Sequence, residues 1–215
     1  MIKTAIFDLD GTLLDTSEFI YQAFDHTIQT HNIEFVTRKE VKKHMGMKLS
    51  EMYKIFAPQM DTSQLVDTHR EFQKRNLHLS KPYLKVEESL DILQKAGIIM
   101  AVVTARSKIT SLHSLELAGI KHFFEMIISD EDVTKLKPDP EGIFMVLNAL
   151  KTKPEESIMI GDTFADVLAG KNAGTKTMAV LYGFHGDEVK KYYPDYVVYS
   201  FAEIPPIILD TKSSA

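Results

Sequence analysis

From Val86 onward the chain alternates strand and helix, and few folds accept that order. Val86, Leu90 and Leu93 share one face of a helix running to Ala96, which Gly97 ends as a C-terminal cap type. Ile98 to Val103 is a continuous apolar run, the mark of a strand covered on both faces. Helices are expected at Ile109–Ala118, from Asp139-Pro140 to Leu150, and at Ala165–Ala173. Strands are expected at Met126–Ile128, Ile158–Ile160 and Thr177–Val180, with Tyr196–Tyr199 as an edge. This order predicts a doubly wound parallel sheet.

A first strand stands apart. The mostly apolar run from Ile2 to Phe7 delivers Asp8 and Asp10, and Gly11 turns the chain. From Ser17 to Leu79 only helical stripes follow, one at Ile20, Ala23, Phe24, Thr27 and Ile28, another at Leu65, Phe72 and Leu79. The expected fold is a Rossmann-like α/β core, residues 1–14 and 83–215, carrying a helical cap, residues 15–82, after strand one. The tail from Asp210 to Ala215 reads as disordered.

Composition narrows the chemistry. The chain of 215 residues is 44% hydrophobic and 26% charged, enough for a sizeable core. It has no cysteine, which removes disulfides, thiolate catalysis and cysteine zinc sites. Its net charge of -5 does not suggest nucleic-acid binding. Apolar runs are too short to span a bilayer, and Met1-Ile2-Lys3 passes directly into a strand. The expectation is a cytoplasmic protein without membrane or nucleic-acid partners.

Ligands of open α/β sheets bind beyond the C-terminal strand ends. Asp8, Asp10, Thr104, Lys137, Asp162 and Asp166 all fall at or near that edge. Each alone reads as a turn or surface residue. Asp162 and Asp166, spaced i, i+4, would repel on an ordinary helix. Together they outline one site.

These residues carry a resemblance. "DLDGTLLDT", the threonine of "VVTARS", the lysine of "KLKPDP" and "GDTFADV" match in order and spacing the four motifs of the haloacid-dehalogenase-like hydrolases. The similar branch is that of phosphatases with a helical cap, phosphoglycolate-phosphatase-like or beta-phosphoglucomutase-like. The resemblance implies that Asp8 is the nucleophile, forming an aspartyl phosphate. It implies that Asp10 is the general acid and base. Thr104 would donate to a phosphoryl oxygen and Lys137 would neutralise charge. Mg²⁺ would be held by Asp8, the Asp10 carbonyl and Asp162, with Asp166 in or just outside its shell. The substrate class implied is a small-molecule phosphate ester.

Many relatives have Asn or Ser where this chain has Ala105, so Ala105 and Arg106 are candidate substrate contacts. The segment "HMGMKLSEM" resembles the family's specificity loop, with Gly46 allowing close approach and Lys48 offering a positive charge. His69, His113 and His122 read as packing or surface residues, and Tyr192, Tyr193, Tyr196 and Tyr199 as core and edge packing. A beta-phosphoglucomutase-like mutase is an alternative, although those enzymes usually carry histidine where this chain has Ile20. A phosphorylated receiver domain is another, but such domains are shorter and lack the helical insertion.

Overall fold

The computed structural model describes residues 1–210. Its centre is β1 (Thr4–Phe7), whose four residues are all buried. Ala5 and Phe7 join one apolar cluster while Ile6 joins the other, as the two-residue period of a strand requires. Parallel pairing places β1 between β4 (Ile99–Val103) and β6 (Ser157–Gly161). The outer strands are β5 (Met126–Ile128) beyond β4, then β7 (Lys176–Val180) and β8 (Tyr196–Val198) beyond β6. All five pairings are parallel.

Helices cover both faces. On one, α5 (Val86–Lys95) packs Val86, Leu90 and Leu93 against Phe7, Met100 and Val102. Leu115 of α6 (Lys108–Leu117) joins the same cluster. On the other, α7 (Glu141–Leu150) and α8 (Phe164–Ala173) cover Ile6, Ala101 and Met159. Strand order therefore reverses beside β1, and the C-terminal end of β1 is a topological switch point.

The chain leaves the core through β2 (Leu14–Asp15) and returns through β3 (Lys81–Pro82), which pair antiparallel. Four helices lie between: α1 (Ser17–Thr30), α2 (Arg38–Lys43), α3 (Leu49–Phe56) and α4 (Thr62–Arg75). They form a helical cap whose apolar cluster of Phe24, Ile28, Val41, Met52, Tyr53 and Leu65 is joined by Phe184 from the core. No helix among the described residues is long and apolar enough to cross a membrane.

Several details differ from the sequence reading. The expected stripe Leu65, Phe72, Leu79 breaks because α4 stops at Arg75 and Leu79 lies on a separate 3₁₀ turn. The buried face of α4 is instead Leu65, His69 and Gln73. Asp162 precedes α8 rather than sharing its surface, so the expected i, i+4 repulsion on a helix does not arise. Tyr192, Tyr193 and Tyr199 are exposed, and only Tyr196 packs against the core. A ninth helix, α9 (Ile204–Asp210), was not expected; it buries Ile204, Pro205 and Ile208 and takes in Asp210. Residues 211–215 of the tail lie outside the described residues.

Candidate active site

The loop after β1 begins with Asp8, which is buried, and continues to Gly11 at φ +81°. A Cβ at Gly11 would stand 2.3 Å from Asp162 Oδ2 and 2.7 Å from the Phe184 ring. Glycine is required there both by backbone sign and by space. The turn thereby brings the β1 and β6 loops into contact.

Lys137 reaches the same point from the segment before α7. Its Nζ donates to Asp8 Oδ1 at 2.7 Å, to Asp166 Oδ1 at 2.6 Å and to the Val103 carbonyl at 2.9 Å. Asp166 occupies the third position of α8 and closes a capping box: Thr163 N and Oγ1 donate to its Oδ2 at 2.9 and 2.6 Å. Both Asp166 oxygens are thus occupied by protein donors. Asp162 is fully buried and accepts from Phe184 N at 2.6 Å and, longer, from Thr12 Oγ1 at 3.3 Å.

Charge is unbalanced here. Asp8, Asp162 and Asp166 can each place an oxygen within 4.8 Å of the others, and one ammonium, Lys137, lies among them. Burial pushes the Asp8 carboxyl up to about 7, with Lys137 opposing and Asp166 and Asp10 reinforcing. Burial, then the charges of Asp166 and Asp8, push Asp162 well above the carboxylate range. Burial alone would lower Lys137, but Asp166 and Asp8 more than reverse this and raise it. An all-oxygen, buried, net-negative cluster suits a hard divalent cation. The residues therefore fit the Mg²⁺ expected from the sequence.

The other expected residues gather around this centre. Asp8, Asp10, Thr104, Ala105, Arg106 and Lys137 line one cavity of about 110 Å³ between core and cap. Thr104 Oγ1 accepts from Arg106 N at 3.1 Å, leaving its own proton for another acceptor. The Arg106 side chain is engaged elsewhere. It donates to Asp10 Oδ1 at 3.1 Å, Ser114 Oγ at 2.7 Å and Thr110 Oγ1 at 3.1 Å, and lies 4.1 Å above the Phe19 ring. Gly46 lines the cavity at φ +90°, and a Cβ there would face Thr163 Oγ1 at 3.5 Å, so the cap loop sits against the start of α8. Lys48 is not among the lining residues; it holds the N-cap position of α3.

Three participants were missed in the sequence. Arg70 of α4 reaches Asp130 at 2.7 Å across the cap–core boundary, and both line the cavity. Asp130 follows β5, so the strand-end rule that selected Thr104 would have selected it too. His69 is buried within the cap, bonded to Tyr53 OH at 2.8 Å, and also borders the cavity. Nothing in a single sequence marks it.

Residues 5–180 match the model of the haloacid dehalogenase-like hydrolases. The pyrophosphatase PpaX of Halalkalibacterium halodurans is 37% identical over 209 residues, covering 96% of this chain and 97% of that protein. A predicted phosphoglycolate phosphatase from Haemophilus somnus superposes with a TM-score of 0.89 at 23% identity, over 96% of this chain and 97% of its own. The beta-phosphoglucomutase of Clostridium difficile gives 0.85 at 20% identity, over 99% and 97%. At such identities the two structures bear on fold alone. Fold, motif-bearing loops and family model agree: the chain belongs to the haloacid dehalogenase-like hydrolases.

Proposed function

We propose that the protein is a Mg²⁺-dependent phosphatase of a small phosphorylated metabolite, working through an aspartyl phosphate. The observation that carries this reading is Lys137 bridging Asp8 and Asp166, with Asp162 in reach. An ammonium on one Asp8 oxygen fixes the carboxylate and leaves Oδ2 for phosphorus.

Asp8 attacks phosphorus, the Asp8 O–P bond forms, and the bond to the leaving oxygen breaks. Asp10 gives its proton to that oxygen, then takes one from the water that releases phosphate. To reach that oxygen, Asp10 must turn away from its 3.1 Å contact with Arg106. The Thr104 hydroxyl donates to a transferring oxygen. Lys137 offsets the charge gathered on Asp8 and the phosphoryl group. Asp8, the Asp10 carbonyl and Asp162 would hold Mg²⁺, which would supply charge neutralisation when bound. Asp166, with both oxygens occupied, serves to hold Lys137 and the α8 terminus. Residues 15–82 act as the lid that covers the leaving group.

A second reading, pyrophosphate hydrolysis, is favoured by the 37% identical PpaX relative. A mutase reading is weakened by Ile20, an apolar side chain on the cavity wall where a proton donor would serve. The test is a panel of phosphate esters and pyrophosphate, assayed with and without Mg²⁺ on wild type and Asp8→Asn. Phosphate release that needs both Mg²⁺ and Asp8 is expected. Near wild-type turnover by the variant ends the proposal.

A further inference from the structure

Resting on the phosphatase reading, we propose that the leaving group is an uncharged, largely apolar alcohol. Asp130 enforces this choice by keeping Arg70 paired.

The cap side of the cavity is apolar. Ile20, Phe24, Met45, Met47, Leu49 and Met52 line it, all from α1, α3 and the loop before α3. The polar cap groups on the cavity besides Arg70 are His69 and Gln73. Gln73 is uncharged, and burial drives the His69 pKa down to about 3, so it too is neutral at ordinary pH. The cavity of about 110 Å³ also includes the phosphoryl end lined by Asp8, Thr104 and Lys137, so its cap side suits a short chain rather than a large ring; about 150 Å³ is needed to admit benzene.

Charge gives the stronger argument. Among the described residues three cations line this cavity, and each is already matched to a carboxylate. Lys137 meets Asp8 and Asp166, Arg106 meets Asp10, and Arg70 meets Asp130. A second phosphate or a carboxylate on the leaving group would enter a methionine-lined space and find every cation on its wall already paired; Lys48, whose charge reaches Asp130, stands off that wall. It would also approach the Asp130 carboxylate. Anions buried without a partner are strongly disfavoured. Arg70 is the cation that the cap itself contributes to the wall, and it is neutralised by a residue of the core whose side chain is 8% exposed. Asp130 is therefore a specificity-determining residue: it withholds from the substrate a guanidinium suited to bind anions.

The test compares kcat/KM for n-butyl phosphate, 2-phosphoglycolate and pyrophosphate in wild type, Asp130→Asn and Asp130→Asn/Arg70→Met. Ratios within one protein cancel any loss of folded fraction. Wild type is expected to prefer the butyl ester over phosphoglycolate by about tenfold or more, the equivalent of one good charge contact denied. Asp130→Asn leaves Arg70 only its longer, 4.0 Å contact with the exposed Glu131 and should move the ratio about tenfold toward both anionic substrates. The double variant should return it. A wild-type preference for phosphoglycolate or pyrophosphate, or a ratio unmoved by Asp130→Asn, overturns the proposal while leaving the phosphatase reading intact. No turnover of any of the three overturns both.

Discussion

Arg106 donates to Asp10 at 3.1 Å while its guanidinium rests 4.1 Å above the Phe19 ring. One side chain of the core thus touches the proposed acid and a helix of the cap. Two of its nitrogens also lie 3.4 and 3.5 Å from Ser80 Oγ, just before the chain re-enters the core. Arg106 is positioned to sense both the carboxylate and the lid.

Replacing Arg106 with Met should keep the aliphatic volume and remove the fork. Ser114 and Thr110 then lose a charged donor, and Phe19 loses its cation. The expected loss of stability is about 2–4 kcal/mol, from hydrogen bonds to a charged group and the ring contact. Urea melts check this. A loss below about 0.5 kcal/mol would mean the contacts are dispensable.

Mg²⁺ should raise the melting temperature. A cation held by the proposed site would bind only the folded state, where Asp8 and Asp162 converge, and would stabilise it by mass action, about 2.7 kcal/mol at a hundredfold excess over its dissociation constant. Asp162→Ala removes one proposed ligand and one buried carboxyl crowded by Asp8 and Asp166. The variant is expected to gain nothing on adding the metal. A melting temperature blind to Mg²⁺ in wild type contradicts the site.

The cap should weaken in acid through His69. Its folded-state pKa, about 3, lies below the ordinary histidine value of 6.5 because burial disfavours the charged form. The stability it contributes is present above pH 6.5 and lost as pH falls toward 3. The slope is about 1.4 kcal/mol per pH unit in that window. Asp8 titrates in the opposite sense: its raised pKa, about 7, adds stability as pH falls below that value. The diagnostic measurement is therefore the difference between wild type and His69→Gln, which should shrink steadily from pH 6.5 to pH 4.

Lys48→Ala should change kcat/KM by less than about threefold for any ester, the range of an ordinary surface substitution. Its side chain lies off the cavity wall, at the start of α3. A larger loss confined to anionic esters would place the lysine on the substrate.

The core was legible because its signals are local. Continuous apolar runs such as Ile98–Val103 announce buried parallel strands, and polar residues at their ends announce the site. Boundaries inside the cap were less legible. Leu65, Phe72 and Leu79 keep a heptad spacing across a helix that ends at Arg75, because periodicity alone does not register where a helix stops. Asp166 carried a signal that was misassigned: its spacing from Asp162 suggested helix repulsion, whereas the Thr163–Asp166 capping box explains its place. Arg70 and Asp130, 60 positions apart, are joined only by the closure of cap on core, which no short-range pattern encodes.

The central position of β1 has a consequence for biosynthesis. Thr4 pairs with Ile99 on one side and Ser157 on the other. A ribosome adding roughly 5–20 residues per second therefore presents this apolar strand many seconds before either neighbour exists. The four cap helices, complete by Arg75, emerge in that interval and can fold locally, as low sequence separation favours. The nascent chain thus holds four lid helices, still lacking Phe184 of their cluster, tethered to an unpaired hydrophobic strand. That interval is when the polypeptide is most exposed to aggregation, and a holding chaperone would find its target in residues 4–7.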